Sequence, residues 1–232
     1  PELRVVYDVY GEHRLHEIEL SHLDGYRGSR PVRIGNSAAE QLQLDIYGEL
    51  LATVYLWHER NLVDAEFWSL LISLVDWVAD NWRRPDSSIW EVRAEPQHYV
   101  FSKVMCWVAL DRAIRMADEL GAPPTLQRWV QERAAIHSEV LEHGWSEERQ
   151  SFVQHYGSRC LDAANLLIPF YGFLPGNDER VKATIAATLE PTRRNHLATM
   201  VPSALRLSKV PRMSVAIPLM VASRPSLKPS HT

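Results

Sequence analysis

The stretch that decides the fold covers residues 88–113 and reads SIWEVRAEPQHYVFSKVMCWVALDRA. Its second half predicts a long amphipathic helix, and its first half places Trp90 and Glu91 side by side just before that helix. An indole disfavours the ionised form of a neighbouring carboxyl and raises its pKa, so the pair is a candidate general acid. A lone Trp–Glu pair, however, more often marks an ordinary helix boundary.

Outward from this stretch, apolar residues recur at helical spacing through most of the chain. The pattern predicts helices at 36–58, 65–82, 100–120, 125–143, 161–173 and 178–189. Asp64 and Thr125 are candidate N-caps, and Gly121 is a typical helix stop. A short strand is predicted at 3–10, and a solvated turn at 147–150.

Three ordered blocks carry a family resemblance. They are LDGYRGSRPVRIGNSAAEQLQLDIYGEL at 23–50, SSIWEVRAEPQHYVFSKVMCWVALDRAIRMA at 87–117 and LDAANLLIPFYGFLPGNDERVKATIAATLE at 161–190. The central block resembles the general-acid region of the family 15 glycoside hydrolases, the glucoamylases and glucoamylase-like trehalases. The resemblance implies an all-α fold, the (α/α)6 barrel or six-hairpin toroid, in which two concentric rings hold six helices each. This chain would supply about half of the ring.

The resemblance also implies a reaction, the inverting hydrolysis of α-glucosidic bonds with release of glucose. The glutamate after tryptophan in the family motif corresponds to Glu91, which is therefore the expected general acid. Ser88 and Ala94 stand where glycines are common in the family. An inverting enzyme also needs a carboxylate base, about 6.5–9.5 Å from the acid, to activate water.

The family's catalytic base is a glutamate near the C-terminus of the catalytic domain, beyond the third block. No Asp or Glu follows Glu190 in this chain. The base is therefore expected to be missing here, and the isolated chain is expected to be inactive.

Arg27 and Arg30, two of the three arginines in YRGSRPVRIGN, correspond to an arginine-bearing loop at the mouth of the family's barrel. Guanidinium groups present paired donors that suit vicinal sugar hydroxyls. Arg30 is the stronger candidate for substrate binding. Arg27 is explained equally well by a structural salt bridge beside Asp24.

Three further residues are candidate substrate contacts. Trp90 can stack on the apolar face of a sugar ring, and Arg93 can orient Glu91 or hold a carbonyl. Asp162 opens a block that contributes to the family's pocket, but capping its own helix explains it as well.

Composition predicts a boundary near residue 190. After Glu190 the chain contains seven of its 25 basic residues, none of its 29 acidic residues and no aromatic Phe, Trp or Tyr. Residues 1–190 are therefore interpreted as the catalytic-domain fragment. Residues 191–232 are interpreted as an aberrant basic tail outside the family fold, such as out-of-frame translation would produce, and are expected to contribute little to stability.

Other classes of function find little support. His98, His137, His143 and His155 lack the spacing of a metal site, and neither a phosphate-binding glycine loop nor a nucleophile elbow occurs, so no metal or cofactor is expected. Two cysteines make no disulfide framework. The formal net charge of −4 gives no general attraction to nucleic acid, and no apolar run reaches membrane-spanning length. A cytoplasmic location is favoured because the sequence shows no signal peptide, although a missing N-terminus would also remove such a signal.

Two interpretations remain open. The chain is a fragment of a hydrolase whose partner is an oligosaccharide or trehalose, with the choice between α-glucan and trehalose undecided. Alternatively, it is a non-catalytic helical-repeat remnant, such as a sugar-binding or interaction module or a truncated pseudogene product. The sequence does not indicate the oligomeric state.

Overall fold

The structure is a computed structural model that describes residues 2–13, 15–60 and 62–189. Most of the described chain is helical and consists of α1 (Asp45–His58), α2 (Ala65–Asn81), α3 (Val100–Leu120), α4 (Leu126–His143) and α5 (Glu179–Leu189). Within the same residues, two small antiparallel pairs join β1 (Ile18–Glu19) to β2 (Arg33–Ile34) and β3 (Trp145–Ser146) to β4 (Ser151–Phe152). The predicted all-α class is confirmed.

Helix α3 forms the centre of the hydrophobic core. Most of its side chains are buried, including Phe101, Met105 and Leu110. Each apolar side chain of this size contributes about 1.5–3 kcal/mol when it is fully buried. The helix ends at Gly121, whose φ of 103° lies in the region that favours glycine. Helix α3 is therefore the element on which α1, α2 and α4 pack.

Helices α2 and α3 are antiparallel. Lys103, in the first turn of α3, donates to the backbone carbonyls of Trp82 and Arg84, which lie just after α2. At the opposite end, Trp68 in the first turn of α2 donates its indole N–H to the carbonyl of Gly121, just after α3. The two hydrogen-bonded ends fix the relative direction of the helices.

Helices α1 and α3 run in the same direction and begin side by side. The backbone N–H of Leu44, which precedes α1, and the hydroxyl of Ser102, in the first turn of α3, both donate to the Asp86 carboxylate. The two backbones approach closely at Gly48, where a Cβ atom would lie 2.3 Å from the carbonyl oxygen of Met105. Only glycine permits this separation.

Helix α4 packs on α2 and runs in the same direction. The indole of Trp129 in α4 donates to Asp76 in α2, and the indole of Trp82, which caps α2, donates to Glu132 in α4. Trp129 also makes an edge-on contact with Trp68, with a centroid distance of 6.3 Å. The four helices therefore form two layers, α1 with α3 and α2 with α4, with opposite directions in the two layers.

Four of the predicted helices agree with the structure to within a few residues, namely those predicted at 65–82, 100–120, 125–143 and 178–189. The turn predicted at 147–150 is also confirmed, because it connects β3 to β4. The tail predicted at 191–232 lies outside the described residues.

Three predicted elements were wrong in extent or in type. The first helix begins at Asp45 rather than at 36, because the Asn36 side chain accepts from Ala38 N–H and starts a separate 3-10 turn. Residues 161–173 form only a short 3-10 turn, because Pro169 has no N–H to continue a helix. The strand predicted at 3–10 is absent, since Asp8 accepts from two nearby backbone N–H groups and forms a turn there.

Candidate active site

A loop between α2 and α3 carries the candidate general acid. Its two ends are joined by reciprocal backbone hydrogen bonds of 2.9 Å between Asp86 and Gln97. The loop therefore lies at the end of the layer where α1 and α3 both begin. Trp90 and Glu91 are near its middle, several residues before α3 begins.

Glu91 is exposed on a tight turn. Its backbone N–H donates to the carbonyl of Ser88, and the N–H of Val92 donates to the carbonyl of Ser87, each at 3.1 Å. Glu91 has a φ of 50° and Ser88 a φ of 64°, so both adopt the left-handed conformation that non-glycine residues rarely take. The turn presents the Glu91 carboxylate to solvent, where it can meet a substrate.

Trp90 is half-exposed and is held by Asp162. The indole N–H donates to Oδ1 of Asp162 at 2.9 Å, and the same oxygen accepts from the backbone N–H of Ala164 at 2.8 Å. Asp162 is buried, and burial raises the pKa of its carboxyl. Asp162 therefore caps its own turn, as one of the two sequence interpretations expected, and also orients the tryptophan next to Glu91.

Arg93 is engaged away from Glu91. Its guanidinium forms a bidentate pair with Glu17, at 2.9 and 2.7 Å, and Arg33 binds the same carboxylate at 3.0 Å. The hydrogen bonds and charge of Arg93 lower the pKa of Glu17 to about 2. The structure therefore gives Arg93 the role of tying the acid loop to the segment around β1 and β2, which sequence reasoning did not foresee.

The two arginines of the predicted mouth loop are exposed and lie in different settings. Arg30 forms an ion pair with Asp24, whereas the Arg27 guanidinium lies over the Tyr26 ring at 5.3 Å from its centroid. The salt bridge considered for Arg27 is thus made by Arg30. A substrate contact for either residue stays a prediction.

Sequence reasoning missed two buried carboxylates beneath the acid loop. Asp86 is completely buried, and Asp45, the first residue of α1, is 2% exposed. Burial and the charge of Asp86 raise the pKa of Asp45 to about 7, and burial raises the pKa of Asp86. Asp86 follows Pro85 before two serines, a pattern that indicates a turn without indicating that its carboxylate is enclosed.

Two open cavities, of about 360 and 380 Å³, lie elsewhere in the described structure. They are lined by residues from the later turns of α1 and α3, among them Tyr55, Arg112 and Arg115, and not by Trp90 or Glu91. The first cavity is also lined by Glu59 and Glu119, so the choice of the exposed loop as the candidate site rests on its Trp–Glu motif and not on a lack of carboxylates in the cavities. Among the residues described, no cluster of three or more metal-binding side chains occurs, and none of the helices is long and apolar enough to cross a bilayer.

Comparison with known proteins settles the family. The sequence model of the glycosyl hydrolases family 15 matches residues 2–207, most of the chain. The chain belongs to glycosyl hydrolases family 15. The match extends past residue 190, and the residues there are outside the described part, so the boundary at 190 stays a prediction.

Curated relatives of this family 15 chain include trehalases. It is 46% identical over 186 residues to a trehalase of Mycobacterium tuberculosis, covering 80% of this chain and 27% of that protein. It is 42% identical over 185 residues to a trehalase of Thermoplasma volcanium, covering 79% of this chain and 30% of that protein. The chain therefore spans less than a third of the length of either trehalase.

Solved structures with the same fold are glycosidases. A glycosidase variant in complex with glucose superposes with a TM-score of 0.57 at 26% identity, covering 69% of this chain and 44% of that one. The wild-type glycosidase gives the same TM-score and coverage. The two layers of helices in this family 15 chain are accordingly a partial helical toroid, as the resemblance implied.

Proposed function

We propose that this chain carries the general acid of an inverting, trehalose-cleaving glycoside hydrolase, and that Glu91 donates the proton to the glycosidic oxygen. The observation that carries the proposal is the presentation of Glu91 on a hydrogen-bonded turn, at the end where α1 and α3 both begin. The family match supports the reaction class, and the trehalase relatives favour trehalose over α-glucan.

The neighbours of Glu91 fit this role. Trp90 exposes 55% of its surface while Asp162 fixes its indole, so a flat apolar surface stands beside the acid. Such a surface is suited to stacking on a glucose ring, and an oriented ring costs less conformational entropy on binding than a free one. Arg30 is proposed to contact sugar hydroxyls from the loop before β2.

The catalytic base is proposed to lie outside this chain. Inversion requires a second carboxylate on the opposite face of the sugar, with room for a water molecule between them. No acidic residue follows Glu190, and the chain covers less than a third of the trehalases that it resembles. We therefore expect the chain alone to release no measurable glucose from trehalose or maltooligosaccharides.

The test restores the rest of the domain. Residues 2–189 are joined to the flanking segments of the Mycobacterium tuberculosis trehalase, and hydrolysis is followed by proton NMR. Each cleavage of trehalose releases two glucose molecules, so inversion predicts equal initial amounts of the β- and α-anomers, before mutarotation, whereas retention predicts the α-anomer alone. Glu91→Gln should lower kcat by about 10²–10⁴-fold, since a general acid contributes that much. Glu95→Gln removes an exposed carboxylate from the same loop and is the matched control, expected to change kcat less than about threefold. An unchanged rate in Glu91→Gln, in a chimera that is active, contradicts the assignment of the acid.

A further inference from the structure

Asp86 makes an unusual set of contacts. Its side chain is fully buried, and one oxygen, Oδ2, accepts three hydrogen bonds, from Ser102 Oγ at 2.7 Å, Leu44 N–H at 3.1 Å and Ser88 N–H at 3.3 Å. The donors belong to the start of α3, the start of α1 and the acid loop. A single atom therefore connects the two helices to the segment that carries Glu91.

The contact with Ser88 acts on the backbone that leads to Glu91. A carboxylate that accepts from the N–H two residues later forms an Asx-turn, which favours the local reversal of the chain. Ser88 and Glu91 both have positive φ values, and such conformations persist only where several surrounding contacts enforce them. The Ser88 carbonyl in turn accepts from Glu91 N–H.

The base of the loop is also held by backbone contacts, since Asp86 pairs with Gln97 and the Ser87 N–H donates to the Leu42 carbonyl at 2.9 Å. The anchors beyond this base act downstream of Ser88 or are weaker. Asp162 holds the side chain of Trp90, and Gln41 donates to the carbonyl of Val92 at 3.2 Å. The Arg93–Glu17 pair is largely exposed on the arginine side, and exposed ion pairs contribute little. A hydrogen bond to an enclosed carboxylate is stronger because water does not compete for it.

We infer that Asp86 is a positioning residue, which fixes the left-handed turn at Ser88 and thereby aims the Glu91 carboxylate. The inference rests on the proposed role of Glu91 as general acid. Asp86 itself is enclosed and acts through the backbone of the loop. Its effect on the reaction is therefore expected in kcat, through the position of the acid, and not in substrate affinity.

The first test measures amide hydrogen exchange by NMR in the full chain and makes no assumption about catalysis. Asp86→Ala should speed exchange of the Glu91 and Val92 amides by about tenfold or more relative to the middle of α3, because the turn opens locally. Asp86→Asn keeps an acceptor oxygen and should restore most of the protection. Asp76→Ala, which removes the acceptor of the Trp129 indole, is the control for general destabilisation.

Two further variants keep this test decisive if Asp86→Ala does not fold. Ser88→Gly relieves the positive φ, and the double variant Asp86→Ala/Ser88→Gly is compared with Ser88→Gly alone. Faster exchange at Glu91 and Val92 in the double variant supports the inference. The inference is overturned if exchange at Glu91 and Val92 changes by less than about twofold, either in Asp86→Ala relative to the parent or in the double variant relative to Ser88→Gly. It is also overturned if Asp76→Ala loses as much protection at these two amides.

The second test uses the active chimera. Asp86→Ala should lower kcat for trehalose by about tenfold or more with KM within about threefold, and Asp86→Asn should recover most of the rate. A change confined to KM overturns the inference. If Glu91→Gln does not lower the rate, the proposed general acid is refuted. The hydrogen-exchange result then still decides whether Asp86 fixes the loop.

Discussion

The carboxyl of Asp45 should make the stability of this chain depend strongly on pH. Asp45 is the first residue of α1 and is 2% exposed, and one of its side-chain oxygens accepts no hydrogen bond from any of the described residues. Burial, followed by the charge of Asp86 and a smaller contribution from Glu49, raises its pKa from 3.8 to about 7. From α3, Cys106 also faces this carboxyl, and Lys103 faces Asp86.

The sign follows from proton binding. The folded chain keeps the Asp45 proton up to about pH 7, whereas the unfolded chain loses it near 3.8. The folded state binds more protons between these values, so this group's contribution to the free energy of unfolding is full below about pH 4 and is lost as pH rises through 7. A shift of about 3 pKa units corresponds to about 4 kcal/mol. The helix dipole favours an ionised Asp45 by only about 0.3–1 kcal/mol, so desolvation dominates.

Asp45→Asn removes the titration and keeps the shape. We expect the variant to match the parent near pH 4 and to exceed its free energy of unfolding by about 4 kcal/mol at pH 8. Urea denaturation across that range measures the difference in free energy of unfolding between variant and parent. His98 and His137, whose pKa values are lowered by burial, contribute with the opposite pH dependence, but they are present in both proteins and cancel in this difference. Asp118→Asn, at an exposed position of α3, is the control and should show a small, constant difference. A difference for Asp45→Asn that does not change with pH, or a variant less stable at pH 8, refutes the reasoning.

Two other substitutions test the fold. Gly48→Ala forces a methyl group against the Met105 carbonyl and should reduce the free energy of unfolding by about 1–3 kcal/mol. The control is Gly176→Ala, because a Cβ there meets no atom within 4 Å and the backbone φ is not positive. Similar losses for the two variants in urea denaturation contradict the close approach of α1 and α3. Asp64→Ala removes the acceptor for Phe67 N–H at the start of α2 and should lower the free energy of unfolding by about 0.5–2 kcal/mol. Asp64→Asn keeps an acceptor and should be nearly neutral. An equal loss of stability in both variants argues against capping.

The sequence predicts the helices where one local signal dominates. The ends of α2 and α3 follow from Asp64 and Gly121, whose effects are confined to neighbouring backbone groups. Apolar periodicity does not distinguish a helix from a 3-10 turn within one short segment. At 161–173 the decision falls to Pro169 and to the Asp162 cap, which the apolar count ignores.

In the candidate site, too, residues that belong to a local motif can be predicted from the sequence, whereas residues that act through distant partners cannot. Glu91 and Trp90 are recognisable because the motif places them together in the chain. Asp86 and Asp162 matter through partners far away in sequence, at Leu44 and at Trp90, and no local pattern records such contacts. Arg93 likewise has a partner far away in sequence, Glu17, which no local pattern indicates, and its expected role beside Glu91 stays a prediction.

These long-range contacts explain how a loop can carry an exposed acid without losing its shape. The acid must reach solvent and substrate, so it cannot be fixed by burial of its own side chain. Instead, residues just before it in the chain are fixed, because the buried Asp86 holds the Ser88 backbone and the buried Asp162 holds the Trp90 indole. Each buried carboxylate costs desolvation energy, seen as a raised pKa, and each returns hydrogen bonds that hold the turn. The acid loop is therefore ordered by buried carboxylates whose desolvation destabilises the chain. For this reason we expect different results from the two residues. Replacing Asp45 should raise the free energy of unfolding at high pH, whereas replacing Asp86 should loosen the loop.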